Sequence, residues 1–190
     1  MSALHVSRRT AFGLAGAASA TVALAACSNG DGKDYSGEVK FDSFERSGNY
    51  EPATKDKPAQ NVPKPVKPSQ MNEKSAAGFY AAIGYLAAAM QYLLEDLEPE
   101  PIIEVLGDSQ GSYDQFKQMK SSNLAWVVNP KVVISLKTPQ PKVDGDTYTW
   151  DAKGTIKYDG IGSSVDAAQQ AGKDQTSDIT IKGTLSLIHI

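Results

Sequence analysis

Few side chains in this sequence are of the types that nucleophilic catalysis or tight metal binding requires. The chain contains one cysteine, Cys27, and two histidines, His5 and His189, which lie near its two ends. Ser-His-Asp and Cys-His catalysis, and zinc or copper sites made of His and Cys, need several such residues together. These site classes are therefore excluded, and we expect no catalytic residue, no metal site, no cofactor and no enzymatic activity.

Carboxylates are the remaining side chains that could act as an acid and a base. Asp144, Asp146 and Asp151 lie close together in the sequence, and a glycosidase needs two acids that face each other across a cleft. Asp144 is followed by Gly145, however, and this pair is typical of a hairpin turn. A carboxylate-based cell-wall hydrolase is therefore retained only as an alternative function.

A second group of acids surrounds Pro99 and Pro101. It comprises Glu95, Asp96, Glu98, Glu100 and Glu104. Carboxylates suit calcium, but these residues lack the alternating ligand spacing of a calcium-binding loop. The pattern favours a solvated acidic turn over a cation site.

The single cysteine ends an apolar, uncharged segment, residues 11–26, which follows Arg8 and Arg9. Its length of about 16 residues is short for a membrane-spanning helix, which needs roughly 20, and is typical of a signal peptide. Residues 7–12 resemble a twin-arginine export signal. The end of the segment resembles a bacterial lipobox, with Leu24, Ala25, Ala26 and Cys27 at the four positions.

The lipobox resemblance implies that residues 1–26 are a lipoprotein signal peptide, and that the Cys27 thiol receives a diacylglycerol. The mature lipoprotein would then be anchored to the extracytoplasmic face of the cell membrane. An ordinary signal peptide with a chance cysteine, or a signal anchor, is the alternative interpretation. The sequence leaves the twin-arginine and the general export routes open.

The charge balance bears on the partners of the mature chain. Removal of Arg8 and Arg9 would leave 17 of the 19 basic residues against 22 acidic ones, a net charge of −5. Nucleic-acid binding needs a clustered basic face, and Arg46 would be the one remaining arginine. We therefore expect no nucleic-acid partner. A small ligand, a wall polymer or a protein remains open as the partner.

Residues 27–70 are polar and rich in Pro, Lys and Ser. Such a composition buries too little apolar surface to offset the entropy of ordering. The sequence therefore predicts a disordered tether. With its second half in polyproline II, this tether would reach on the order of 100 Å from the membrane.

Residues 71–190 are predicted to form a single domain, which begins with a long helix capped near Asn72. The helix is indicated by apolar residues at spacings of three and four, namely Phe79, Ile83, Leu86, Met90, Leu93 and Leu97. Residues 75–94 carry no charge, so a transmembrane span is the alternative to a buried helix. Shorter helices are predicted from Pro99 or Pro101 to Leu106, and over residues 112–120.

Strands are predicted in the second half of the domain. Residues 126–137 are rich in β-branched side chains, and Pro130 suggests a bulge or an edge. Residues 147–158 form the next predicted strand, residues 159–178 a loop, and a third strand begins at residue 179. Helices followed by antiparallel strands predict an α+β fold, with a curved sheet around the long helix as in nuclear-transport-factor-2-like or cystatin-like proteins.

The last six residues, 185–190, resemble the translation of a sequencing-adapter end, which implies that the natural chain was truncated near Thr184. A genuine apolar terminal strand is the alternative.

The order of lipobox, Pro-rich segment, Ala/Gly-rich helix and acidic turn resembles an uncharacterised domain family of actinobacterial lipoproteins. Residues 63–71 and 76–106 carry this resemblance, which extends over roughly residues 60–160. Many members of that family have a Cys-X-X-Cys pair after the second helix, whereas this chain has Ser109 and Ser112 there. The disulfide or redox role that the resemblance implies is therefore absent from this chain.

Two non-catalytic functions follow from these features. Four aromatic residues near the predicted sheet could line a binding surface on its concave side, although a place in the core is the alternative: Trp126, Tyr148, Trp150 and Tyr158. The other function is that of an accessory lipoprotein in the assembly of a membrane complex.

Overall fold

A computed structural model of the chain describes residues 32–45, 48–108, 111, 113–164, 170–172, 174–184 and 187–189. These residues form three α-helices and two sheets in which all strand pairs are antiparallel. The predicted α+β class is therefore confirmed.

The first helix, α1, spans Ala76–Asp96. It begins where the Ser75 side chain accepts a hydrogen bond from the Gly78 N–H at 3.0 Å. The predicted cap at Asn72 is wrong, because Ser69–Asn72 forms a short 3-10 helix that precedes α1. Within the described residues α1 is the one helix long and apolar enough to span a membrane, but 56% of its apolar stretch is buried.

Two shorter helices follow. Helix α2 spans Glu100–Leu106, with Pro101 in its first turn, and ends at Gly107, whose φ of 75° suits a residue without a Cβ. Helix α3 spans Asp114–Ser122. Both lie close to the predicted positions.

The larger sheet has six strands, and its central strand pairs with both long neighbours. The strands are β1 Gly37–Glu38, β3 Lys131–Leu136, β4 Lys142–Asp144, β5 Thr147–Lys157, β8 Asp174–Thr184 and β9 Leu187–His189. Their order is β1-β3-β5-β8-β9, and β4 also pairs with β5. The predicted hairpin turn at Asp144 is confirmed, because Gly145 has a φ of 57° between β4 and β5.

A smaller sheet corrects two sequence predictions. Its strands are β2 Ala125–Val128, β6 Gly160–Ser163 and β7 Gln170–Ala171. Residues 126–137 are therefore not one strand. The chain turns at Asn129, which has a φ of 48°, and Pro130, so that β2 and β3 enter different sheets. The predicted loop over residues 159–178 contains β6, β7 and the start of β8, because alternating residues of β6 face inward and pair with β2.

The core lies between α1 and the larger sheet. Ile83 and Leu86 of α1, Ile134 of β3, Trp150 of β5 and Ile181 of β8 are each no more than 2% exposed. Burial of each such side chain stabilises the fold by roughly 1.5–3 kcal/mol. Trp150 and Ile181 are register partners, so the β5–β8 pairing places both against the helix.

The part of the predicted tether that the structure describes, residues 32–45 and 48–70, belongs to the fold. Residues 33–45, here called the N-terminal arm, cross α1 and pair with the edge of β3 through β1. Tyr35 is 5% exposed, and its ring centroid lies 4.8 Å from that of Tyr80 and 5.9 Å from that of Trp150. The Tyr35 N–H also donates to the Pro139 carbonyl at 3.0 Å.

The Pro-rich segment, residues 48–68, is also packed. Ala53 and Val62 are buried, and Ala53 contacts Trp126 and Val128. The Trp126 indole N–H donates to the Thr54 carbonyl at 2.7 Å. The prediction of disorder is therefore wrong for residues 34–45 and 48–70. Composition underestimated the few apolar side chains in this stretch, since Tyr35, Val39, Ala53 and Val62 are buried against the domain.

Replacement of Tyr35 tests whether the arm contributes to stability. We expect Tyr35→Ala to lower the free energy of unfolding by about 3 kcal/mol, because a buried aromatic ring is removed between two others. Urea unfolding followed by tryptophan fluorescence would measure the change. Lys55→Ala is the matched control, since Lys55 is exposed in the same predicted tether and its replacement should change stability by less than about 0.5 kcal/mol. Equal stabilities of the two variants would contradict the packed arm.

Candidate functional site

A pocket of about 210 Å³ lies where the N-terminal arm crosses α1. We call it the arm–helix pocket. Three parts of the chain line it: the arm with Pro63, the outer face of α1, and the start of β3. The lining residues are Glu38, Val39, Lys40, Phe41, Phe44, Pro63, Gly84, Ala87, Ala88, Gln91, Tyr92, Glu95, Lys131, Val132 and Val133.

Small residues on α1 let the arm approach the helix closely. A Cβ at Gly84 would lie 3.2 Å from the Lys40 carbonyl oxygen, so the backbone of the arm rests almost on the helix there. The Lys40 N–H donates to the Tyr80 hydroxyl at 3.1 Å, one turn before Gly84. Beyond this contact Ala87 and Ala88 line the space that the arm leaves open. The pocket is thus the part of the interface that no side chain fills.

Glu95 is the acid at the helix end of the pocket. Its carboxylate accepts a hydrogen bond from the Tyr50 hydroxyl at 3.0 Å. Burial raises the pKa of Glu95 above its usual range, although the Tyr50 hydrogen bond opposes this effect. Burial and the adjacent Glu95 charge raise the pKa of Tyr50 to about 12, so Tyr50 remains a donor at neutral pH.

Other polar groups surround the same space. The Gln91 side-chain oxygen accepts from the Val132 N–H at 3.3 Å, which ties α1 to the start of β3. Burial and the neighbouring Asp96 raise the pKa of Tyr92. Lys40 forms an exposed ion pair with Glu38 at 2.9 Å. The pocket therefore combines one half-buried carboxylate with hydroxyl and amide groups.

The remaining walls are apolar. The rings of Phe41 and Phe44 meet edge to face with centroids 5.2 Å apart, and Val39 and Pro63 lie beside them in the lining. None of the described residues in the lining is Ser, Cys or His. An apolar wall with a few placed polar groups is the arrangement typical of small-molecule sites.

A second pocket, of about 130 Å³, lies on the helix-facing side of the larger sheet, beyond Met90. Its lining is mostly aliphatic and includes Val132, Ile134, Ile156 and Ile179. Gly154 also lines it, and a Cβ there would lie 3.2 Å from the Ile179 Cδ1. None of the described residues in its lining is charged.

The four predicted binding aromatics do not form a common surface. Trp126, Tyr148 and Trp150 are 3%, 7% and 0% exposed. These three side chains therefore lie in the core, which was the alternative to a binding surface. Trp126 belongs to the small cluster with Ala53, whereas Tyr148 and Trp150 pack around Phe79 in the main core. Tyr158 is half-buried and lines neither pocket. The inward pleat of β5 explains the burial of Tyr148 and Trp150.

The acidic turn is held by side chains from other segments. Lys120 Nζ lies 2.5 Å from an Asp96 oxygen and 3.4 Å from a Glu98 oxygen. The Tyr85 hydroxyl donates to Glu104 at 2.9 Å, and Glu100 pairs with Lys64. No group of acids, His or Cys arranged to hold a metal ion occurs among the described residues.

The other predicted residues separate into two sets. Asp144, Asp146 and Asp151 line neither pocket; Asp146 pairs with Lys74 at 3.2 Å, and Asp151 accepts from Thr180 at 2.9 Å. Outside the described residues lie Arg8, Arg9, Leu24, Ala25, Ala26, Cys27, Ser109 and Ser112.

Sequence reasoning missed the outer face of α1. It identified the apolar stripe that faces the core but not the second stripe of Gly84, Ala88, Gln91 and Glu95. Their spacings of four, three and four place these residues on one face of the helix. Small residues followed by polar ones along such a face were the available signal.

Glu95 should make stability depend on pH. A carboxyl whose pKa is higher in the folded state than in the unfolded state costs stability as pH rises through the unfolded value, about 4.3. Glu95→Gln removes this cost. We therefore expect the stability of the variant, relative to the parent, to increase between pH 4 and pH 7.

Urea unfolding at both pH values would measure the difference. Glu51→Gln is the control, because Glu51 is an exposed acid that pairs with Lys57. A difference between Glu95→Gln and the parent that is the same at both pH values would contradict the raised pKa.

One of the comparisons with known proteins finds a match, which covers most of the described fold but not the N-terminal arm. No curated protein and no solved structure matches the chain. A family model described as a family of unknown function, DUF6318, matches residues 48–188. This range includes the Pro-rich segment, all three helices and almost all of both sheets, and on that evidence the chain belongs to the DUF6318 family.

Proposed function

We propose that this protein is a lipid-anchored extracytoplasmic lipoprotein that acts as a non-catalytic binding module, and that the arm–helix pocket receives its ligand. The observation that carries the proposal is the pocket itself. Three segments distant in sequence line it, and it combines aromatic walls with the half-buried Glu95 carboxylate. Such a lining favours binding over bond cleavage.

The lining also suggests what kind of ligand fits. Phe41, Phe44 and Val39 offer an apolar surface, whereas Glu95 and Gln91 offer hydrogen-bonding groups at the other side of the pocket. A ligand with an apolar face and a hydrogen-bond donor, such as an amine or a hydroxyl, would satisfy both. A pocket of about 210 Å³ would hold a small molecule or one group of a larger polymer.

The anchor is supported by the sequence. Arg8 and Arg9, the apolar segment and the lipobox ending at Cys27 occur in the order that lipid attachment and signal cleavage require. Membership in a lipoprotein family of actinobacteria is proposed on the resemblance that residues 63–71 and 76–106 carry. We further propose a nuclear-transport-factor-2-like or cystatin-like architecture, which the packing of α1 on an antiparallel sheet supports.

A role in the assembly of a membrane complex is the second candidate. It is favoured by Phe44 and Val66, which are 44% and 39% exposed. They lie on adjoining backbone segments, because Phe44 pairs with Pro65 and the Val66 N–H donates to Ser43. Co-purification of another protein after mild crosslinking in membranes, and its loss in Phe44→Ser, would support this role over that of a small-molecule binder.

Replacement of Cys27 tests the anchor. In Cys27→Ala the thiol that would accept the lipid is absent. We therefore expect the variant to be neither acylated nor cleaved before residue 27. Membrane fractionation and mass spectrometry of the amino-terminal peptide would measure this. Cys27→Ala with normal processing and unchanged membrane retention would contradict the anchor.

Filling the arm–helix pocket tests the binding role. We expect Ala88→Leu to occupy the space that a ligand needs, so that small molecules co-purifying with the parent protein are lost. Mass spectrometry of an extract from the denatured protein would detect them. Ala81→Leu is the matched control, because Ala81 is also half-buried on α1 but does not line the pocket. Identical extracts from all three proteins would argue against a ligand in this pocket.

A further inference from the structure

We infer that the domain lies with one particular end against the phospholipid surface, so that the arm–helix pocket opens away from the membrane. The end in question consists of the loops between β3, β4 and β5, and we call it the hairpin end. The inference rests on the proposed acylation of Cys27. It adds the orientation of the domain on the membrane and the distance between the membrane and the pocket.

The start of the N-terminal arm is fixed to the domain by several contacts. The Tyr35 ring is buried between Tyr80 and Trp150, and its N–H donates to the Pro139 carbonyl. Two residues earlier, the Lys33 carbonyl accepts a hydrogen bond from the Gln140 side chain at 2.5 Å. The chain is therefore held to the domain from Lys33 onward.

The connection between Lys33 and Cys27 is short. Six peptide units separate Cys27 from Lys33, and six residues span at most roughly 22 Å, whatever their conformation. This limit is shorter than the length of α1 itself, about 30 Å for its 21 residues. A lipid on Cys27 consequently cannot hold the domain at the distance of on the order of 100 Å that a tether over residues 27–70 would allow.

The strand register shows at which end of the larger sheet Lys33 lies. Strand β1 runs antiparallel to β3, with Gly37 opposite Leu136, so Lys33 lies beside the loop that follows β3. Val143 of β4 lies opposite Tyr148, and Tyr148 also lies opposite Gly183 of β8. The hairpin end is therefore the part of the fold beside Lys33, from which the short connection to Cys27 extends.

The pocket lies at the other end of the same strands. Its sheet residues begin at Lys131, whose partner on β5 is Lys157. Along β5, Tyr148 and Thr155 are about 24 Å apart at the spacing of an antiparallel strand. Glu95 is near the C-terminal end of α1, whereas Tyr80, which contacts the arm at Tyr35, is near its N-terminal end. A bilayer at the hairpin end therefore leaves the pocket mouth in solution.

The surface chemistry of the hairpin end suits the headgroup region. Val143 is 49% exposed at the tip, and the Lys142 side chain beside it is 85% exposed. Asp144 and Asp146 lie in the same turn, and Asp146 pairs with Lys74. Because both signs are present, we expect the short connection to Cys27, rather than charge attraction, to hold this surface at the membrane.

Site-directed fluorescence tests the orientation. Full-length, lipidated Val143→Cys and Thr176→Cys variants would be labelled with a fluorophore and reconstituted in vesicles of phosphatidylethanolamine and phosphatidylglycerol that carry a nitroxide on a fraction of the headgroups. Cys27 is the only native cysteine and its thiol is used by the lipid, so the label reports one position. Thr176 is exposed and lies opposite Thr155, toward the far end of β5.

We expect strong quenching at residue 143 and little at residue 176, and no loss of this contrast at high salt. Insertion of a Gly/Ser segment of about 40 residues between Asn29 and Gly30, with a root-mean-square length of roughly 35 Å, should remove the contrast. Equal quenching at the two positions, or a contrast that survives the insertion or disappears in salt, would overturn the inference.

Mass spectrometry of the same samples separates the two proposals. A diacylglycerol on Cys27 together with equal quenching at both positions would leave the proposed anchor intact and refute the orientation alone. Absence of the lipid from Cys27 would refute both.

Discussion

The packing of Tyr35 between Tyr80 and Trp150 is the contact on which the rest of this structure depends. It holds the N-terminal arm across the helix and at the edge of the sheet. Without it α1 would expose the face around Gly84 and Tyr85 to solvent, although both residues are buried. The arm thus converts a helix that lies on one side of a sheet into a helix that is covered on two sides.

The same contact accounts for the arm–helix pocket. A backbone segment that crosses a helix rarely contacts it along its whole length. Here the arm contacts α1 at Gly84 and leaves open space toward Glu95. Glu95 is consequently half-buried, and its carboxylate accepts a hydrogen bond from the Tyr50 hydroxyl. A carboxylate kept in this way costs stability, and a ligand that donates a hydrogen bond or a proton could recover part of that cost.

Local patterns were sufficient for most of the elements. The spacing of the apolar stripe predicted α1, the prolines and Gly107 predicted α2, and Asp144–Gly145 predicted the β4–β5 hairpin, because each signal acts between residues close in sequence. Predictions failed where distant segments meet. Residues 126–137 divide between two sheets because β2 finds its partner in β6, more than thirty residues later, and no periodicity within the strand reports this.

The sequence by itself determined the α+β class and the core face of α1, since these depend on residue types and local spacing. Only the tertiary structure decided that the Pro-rich region belongs to the domain and that a pocket exists beside it. The apolar side chains of the N-terminal arm and the Pro-rich segment, such as Tyr35, Ala53 and Val62, are too few to form a core of their own. They are buried because the helix and the sheets provide complementary surfaces, and such complementarity exists only after the chain has folded.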